Sequence, residues 1–142
     1  MEKLFIRAYE QKDENEVIKL WKICNLIVPK NDPKLEIDSK VNFQPDLFFV
    51  GLFQKKLIST IMIGYDGHRG WINYLVVHPD YQRRGFGRQL MNYATKILLN
   101  MDCQKINIQV RESNRSVIQF YKKLGFTDDK VLSYGKRISK FS

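Results

Sequence analysis

The stretch Gln82-Arg83-Arg84-Gly85-Phe86-Gly87-Arg88 concentrates the residue types that bind phosphate. It follows an apolar run, Trp71 to Val77, that stops at His78-Pro79, and it leads into a segment of helical periodicity. Glycines let a backbone approach a ligand closely and reach dihedrals closed to other residues. The first amides of a helix have no partner inside it and sit at the positive end of its dipole. A basic, doubly glycinated turn between strand and helix is therefore built as an anion cradle. Two common versions do not fit. A dinucleotide fingerprint needs a third glycine where Leu90 stands, and a P-loop needs Lys-Ser/Thr where Arg88-Gln89 stands. His68, His78, Cys24 and Cys103 match no zinc spacing, so no metal is expected.

The elements around this turn follow from periodicity. Leu4 to Ala8 reads as a strand. Asp13 with Glu16 suggests a capping box, and Val17, Leu20, Trp21 and Cys24 fall at helical spacing, which predicts a helix over residues 14–26. Asp32 caps a second, short helix that has Pro33 at its first position. Strands follow at Leu47–Phe53, Leu57–Tyr65 and Trp71–Val77, joined by the turns Gln54-Lys55-Lys56 and Asp66-Gly67-His68-Arg69-Gly70. Leu90, Tyr93, Ala94, Ile97 and Leu98 stripe one face of a helix, and Lys105 to Val110 alternates as a strand. Asn114 caps a helix whose face is Val117, Ile118, Tyr121 and Leu124, ended by Gly125. Two short strands close the order, about Thr127–Leu132 and Tyr134–Ile138. Hairpins first and crossover helices later imply an α/β (α+β) fold with a mixed, mostly antiparallel sheet of six to seven strands, covered by helices on both faces.

At 142 residues the chain reads as a single domain, 1–142, long enough to bury a substantial core. Its apolar runs are strand-sized, so no membrane span is expected, and the start of the chain lacks a signal-peptide core. Two distant cysteines without a CxxC partner suit free thiols in a cytoplasmic protein. With 24 basic against 15 acidic residues, the net charge of +9 favours a polyanionic partner. No basic run reaches five residues, so charge alone does not choose among nucleic acid, an acidic surface and a phosphorylated cofactor. A nucleic-acid-binding module would want clustered cationic residues and a recognition motif, and neither is found.

Gln82-x-x-Gly85-x-Gly87 in this strand-to-helix context resembles the phosphate-binding signature of the GNAT superfamily of acyl-CoA-dependent N-acyltransferases. Asn114, Tyr121 seven residues later and Gly125-Phe126 resemble its closing motif. The resemblance implies acetyl-CoA as cosubstrate and a bacterial N-acetyltransferase acting on a primary amine. By position, Leu75, Val76 and Val77 would pair with the pantetheine arm, with an amide near Val76 or Val77 facing the oxyanion. The amides of Arg83, Arg84, Gly85, Phe86, Gly87 and Arg88 would hold the pyrophosphate, and Asn114 would contact the cofactor. Tyr121, which pattern alone reads as a core-face aromatic, would act as general acid to the thiolate. Small enzymes of this family often pair, so the resemblance leaves the oligomeric state open with a homodimer as one outcome.

Tyr65 to Gly70 and Asn31-Asp32-Pro33 further resemble the YpeA-type bacterial subgroup, which implies that Asn31, Asp32, Asp66, His68 and Arg69 lie on the acceptor side. One departure bears on mechanism. The ribosomal-protein N-terminal acetyltransferases carry a basic Glu five residues before the motif Asn, and Gln109 stands there in this chain. Asp66, His68, Glu112 or a water chain would have to replace it. That absence favours a small, weakly basic, amino-acid-like amine as acceptor. Two alternatives stay open: a noncatalytic acyl-CoA-binding sensor and a peptide or protein N-terminal acetyltransferase.

Overall fold

The computed structural model describes residues 2–139, which form two compact units, one up to Asn107 and one from Ile108. In the first unit five strands lie side by side in chain order: β1 (Phe5–Ala8), β2 (Phe48–Phe53), β3 (Lys56–Tyr65), β4 (Gly70–Val77) and β5 (Ile106–Asn107). The first four are mutually antiparallel. The hairpin between β2 and β3 turns on Gln54 and Lys55, both left-handed at φ 50° and 67°, which matches the twist of the flanking strands. β5 runs parallel to β4, and such a connection needs a crossover; helix α3 (Phe86–Asn100) supplies it.

Alternation along β2 assigns the two faces of the sheet. Phe48 and Val50 join Val17, Leu20 and Trp21 of α1 (Glu14–Ile23) and Ile37 of α2 (Pro33–Val41) in one buried cluster. Phe49 and Phe53 turn the other way, where Phe49 meets the edge of Tyr93 and Phe53 packs on Phe86, both from α3. Helices thus cover both faces of this unit. The second unit carries one helix, α4 (Arg115–Lys123).

Four expectations need correction. The sheet has five strands rather than six or seven, and no strand follows Asn107 among the described residues. Val131, Leu132, Tyr134 and Ile138 in the expected closing strands are 74–93% exposed. An alternating pattern defines two faces, but a strand exists only where a neighbour takes its amides and carbonyls. The strand expected over Lys105–Val110 is limited to Ile106–Asn107, whose ladder meets only Gly70 and Trp71. Helix α1 stops at Ile23, not residue 26: Asn25 is left-handed, and the Asn25 and Leu26 amides close back onto the Lys22 and Trp21 carbonyls. Finally, Asp13 does not cap α1. Its buried carboxylate accepts from the two terminal guanidinium nitrogens of Arg7 (2.8 and 2.9 Å) and from the Glu10 amide (2.9 Å).

Candidate active site

β4 is interrupted where the site begins. Thr60 pairs with Val76 and Met62 with Asn73, so Tyr74 and Leu75 together oppose the single residue Ile61. Tyr74 is left-handed at φ 49°, a conformation that costs a non-glycine residue about 1–3 kcal/mol. Two contacts offset it. The Trp21 indole stacks on the Tyr74 ring with centroids 4.0 Å apart, and the Thr60 hydroxyl donates to the Tyr74 carbonyl at 2.8 Å. Trp21 Nε1 in turn donates to Thr60 Oγ1 at 3.0 Å, and both residues are completely buried.

The bulge leaves an open edge. The His78 amide donates to the Ile58 carbonyl of β3 at 2.8 Å. Successive residues of a regular strand turn their amides to opposite neighbours, so the Val76 amide also faces β3. The Val77 amide faces outward, as does the Leu75 carbonyl, which shares a trans peptide with the Val76 amide. On that outward side β5 pairs only with Gly70 and Trp71. The rest of β4 has no strand partner there among the described residues. The edge ends at the Val77 carbonyl, which accepts from Gln82 Nε2 at 2.9 Å.

The basic turn follows directly. A single 3-10 turn, Pro79–Tyr81, is capped by His78 Nδ1, which accepts from the Asp80 amide. Arg83 and Gly85 are both left-handed, at φ 64° and 86°, and α3 starts at the buried Phe86. A Cβ built on Gly85 would meet nothing within 4 Å, so the backbone there faces open space, as an anion cradle requires. Arg83 and Arg88 are exposed. Arg84 is committed elsewhere: it forks onto the Glu2 carboxylate (2.9 and 2.6 Å) and lies over the rings of Phe53, Tyr81 and Phe86 at 5.0–5.6 Å. Gln89 completes this tie, donating to the Glu2 carbonyl and accepting from the Leu4 amide.

In the second unit Asn114 caps α4, accepting from the Val117 amide and the Ser116 hydroxyl at 3.4 Å each. Tyr121 is buried, edge-on to Phe120 and Phe126 with centroids 5.1 and 5.3 Å away. Burial pushes its hydroxyl up to about 12, so it is a neutral proton donor at physiological pH. Gly125, at φ 95°, ends the helix as expected.

The model of the Acetyltransferase (GNAT) family matches residues 10–126, which includes the glycine turn, Asn114 and Tyr121. The chain belongs to this family. By that membership it is an N-acetyltransferase. An acetyltransferase of Yersinia pestis is 44% identical over 133 residues, covering 94% of each chain. One from Sodalis glossinidius is 46% identical over 134 residues, again 94% of each. The crystal structure of the PaiA N-acetyltransferase from Thermoplasma acidophilum, solved in complex with coenzyme A, has the same fold: TM-score 0.75 at 20% identity, covering 88% of this chain and 90% of that one.

The residues expected on the acceptor side of this GNAT chain serve the loops that carry them. Asp66 accepts from the His68 and Arg69 amides (2.8 and 2.7 Å) and from Trp71 Nε1 (3.2 Å). The Arg69 and His68 amides, then the indole, hold its carboxyl below the usual range. The Arg69 guanidinium donates to the His68 carbonyl, and His68 itself is exposed. Asp32 caps α2 through the Lys34 amide, and the Asn31 amide closes onto Val28. Gln109 donates to the Ser133 hydroxyl at 2.7 Å, and Glu112 lies in an exposed turn. Among the described residues no metal-binding group of His, Cys, Asp and Glu forms, and no helix is long and apolar enough to cross a membrane.

Three residues at or behind the β4 edge had no functional role in the expectations drawn from sequence: Trp21 of α1, which entered only as part of a helical stripe, Thr60 of β3, and Tyr74. Thr60 carried a usable signal, because a hydroxyl inside the buried run Ile58–Ile63 must find a partner. Tyr74 carried none, since nothing marks a tyrosine for the left-handed region.

Proposed function

We propose that the chain, acting as one catalytic domain, transfers the acetyl group of acetyl-CoA directly to a small, amino-acid-like primary amine. One observation carries the reading: the open outer edge of β4 is followed, after the single 3-10 turn Pro79–Tyr81, by the left-handed turn at Arg83 and Gly85. In that reading the Leu75 carbonyl and the Val77 amide pair with the pantetheine arm as a neighbouring strand would. The amides from Arg83 to Arg88 hold the pyrophosphate at the start of α3, and Arg83 and Arg88 add charge. Asn114 contacts the cosubstrate.

The amine nitrogen attacks the thioester carbonyl carbon, and the oxyanion that develops is met by an outward β4 amide. As the C–S bond breaks, Tyr121 gives its proton to the leaving sulfur, and the protonated nitrogen of the tetrahedral intermediate returns one to the tyrosinate as the neutral amide forms. No covalent enzyme intermediate is needed, so Cys24 and Cys103 take no part.

With Gln109 where a Glu would serve as base, the acceptor is selected by how readily it loses its own proton. Gln109 cannot take up a proton, and Asp66 is held ionised by three donors. A lysine-like amine of pKa about 10.4 is about 0.1% neutral at pH 7.4, a cost near 4 kcal/mol, whereas an α-amine of pKa about 8 costs under about 1 kcal/mol. A weakly basic α-amine is therefore the favoured acceptor.

Thiol release from acetyl-CoA across amino acids, polyamines, aminoglycosides and N-terminal peptides tests this. The expected result is turnover with a small α-amine that falls about 100-fold or more in Tyr121→Phe while coenzyme A still binds. Binding of acetyl-CoA with no release on any amine would make the protein a sensor instead.

A further inference from the structure

We propose that Thr60, fixed by Trp21, is a positioning residue that aims the Leu75 amide at the thioester carbonyl. The inference rests on the reading that the outer edge of β4 holds the acetyl donor. A trans peptide is planar, and its C=O and N–H point in opposite directions. The Tyr74 carbonyl is drawn toward β3 by the Thr60 hydroxyl at 2.8 Å, which sends the N–H of the same peptide, that of Leu75, out of the open edge. Without that hydroxyl the left-handed Tyr74 would lose the β3 group that holds its carbonyl, and the peptide could rotate.

Thr60 is itself given a single orientation. Trp21 Nε1 donates to its oxygen, so its one proton is left for Tyr74. Both groups are buried beyond reach of water, and the indole that supplies the proton also stacks on the Tyr74 ring at 4.0 Å. The relay Trp21 to Thr60 to Tyr74 touches no reacting atom. It sets the direction of a donor that does, and such donors act only when their direction is fixed before the reaction.

Isotope-edited infrared spectroscopy of acetyl-CoA labelled with carbon-13 at the carbonyl reads that donor without needing an acceptor. In the wild-type protein the bound carbonyl band is expected below its free position. Thr60→Val keeps the shape and loses the hydroxyl, and its band should return toward the free position, while coenzyme A affinity by calorimetry stays within about threefold. Thr60→Ser should restore the wild-type band. Acceptor-independent thiol release should fall about tenfold or more in Thr60→Val. An unshifted band in the wild-type protein, or a wild-type band in Thr60→Val, overturns the inference. If Thr60→Val does not fold, Trp21→Phe decides: it keeps a stacked ring and loses the indole N–H, so a band moved toward the free position supports the relay and an unmoved one overturns it. Failure of the wild-type protein to bind coenzyme A or acetyl-CoA at all would instead remove the donor site on β4.

Discussion

Replacing Gly85 by alanine separates what the basic turn does for the fold from what it does for a ligand. Gly85 and Gly67 are a matched pair: φ is 86° at one and 90° at the other, and a Cβ at either would meet nothing within 4 Å. The cost to the fold at each is therefore only that of placing an alanine in the left-handed region, about 1 kcal/mol. For a chain of this size that lowers Tm by about 3–5 °C. Gly67 lies in the β3–β4 hairpin loop and Gly85 at the start of α3. If the open space over Gly85 is where pyrophosphate meets the backbone, the methyl group displaces it. Coenzyme A should then bind about 30-fold more weakly or worse, near 2 kcal/mol. Thermal unfolding and calorimetric titration with coenzyme A, run on both variants, make the comparison. Equal Tm losses with binding lost only in Gly85→Ala is the expected pattern. Coenzyme A affinity within threefold of wild type in Gly85→Ala would refute the placement of the phosphates.

Three further outcomes are expected. Burial opposes ionisation of Asp13, but the Arg7 guanidinium and the Glu10 amide outweigh it and hold the carboxyl below its usual value. Arg7→Ala should cost about 2–3 kcal/mol of unfolding free energy at pH 7, a cost that shrinks as pH falls below about 4, where the carboxylate's contribution is lost in the wild-type protein as well; urea unfolding across pH measures this. Asp66→Asn should leave turnover within about threefold and the midpoint of the pH–rate limb unmoved, because its carboxylate serves the hairpin; a lost limb would make Asp66 the base. Of the seven tyrosines, Tyr9 and Tyr121 should titrate late, near about 12, chiefly because burial disfavours the phenolates, and absorbance titration of Tyr121→Phe should lose one late step. Both raise the folded-state value, so the stability they carry is present below about pH 10 and lost on the way to 12.

The parts of this chain that were legible in sequence are those whose signals are local. The cap at Asp32, the left-handed stop at Gly125, the helical stripe of α3 and the glycine turn each follow from residues within a few positions of one another. Asp13 shows where that fails. An acid before an apolar helical stripe reads as a cap, but Arg7, projecting from β1, competes for the same carboxylate and wins with two charged donors. The tail from Thr127 to Ile138 fails differently. Its apolar alternation is real, but pairing is a property of two segments and periodicity reports on one. The relay behind β4 was hidden for the same reason, since Trp21 and Thr60 are 39 positions apart and meet only after α1 packs on the sheet.

The stack of Trp21 on Tyr74 also gives the molecule an optical reporter of its own. The chain has two tryptophans; Trp21 is fully enclosed beneath the bulge, and Trp71 is partly exposed on β4. An enclosed indole emits toward the blue, and Trp71→Phe would leave it as the sole emitter. A change in its emission on adding coenzyme A would then report a ligand settling on the neighbouring strand edge, without a dye and whichever amine accepts the acetyl group.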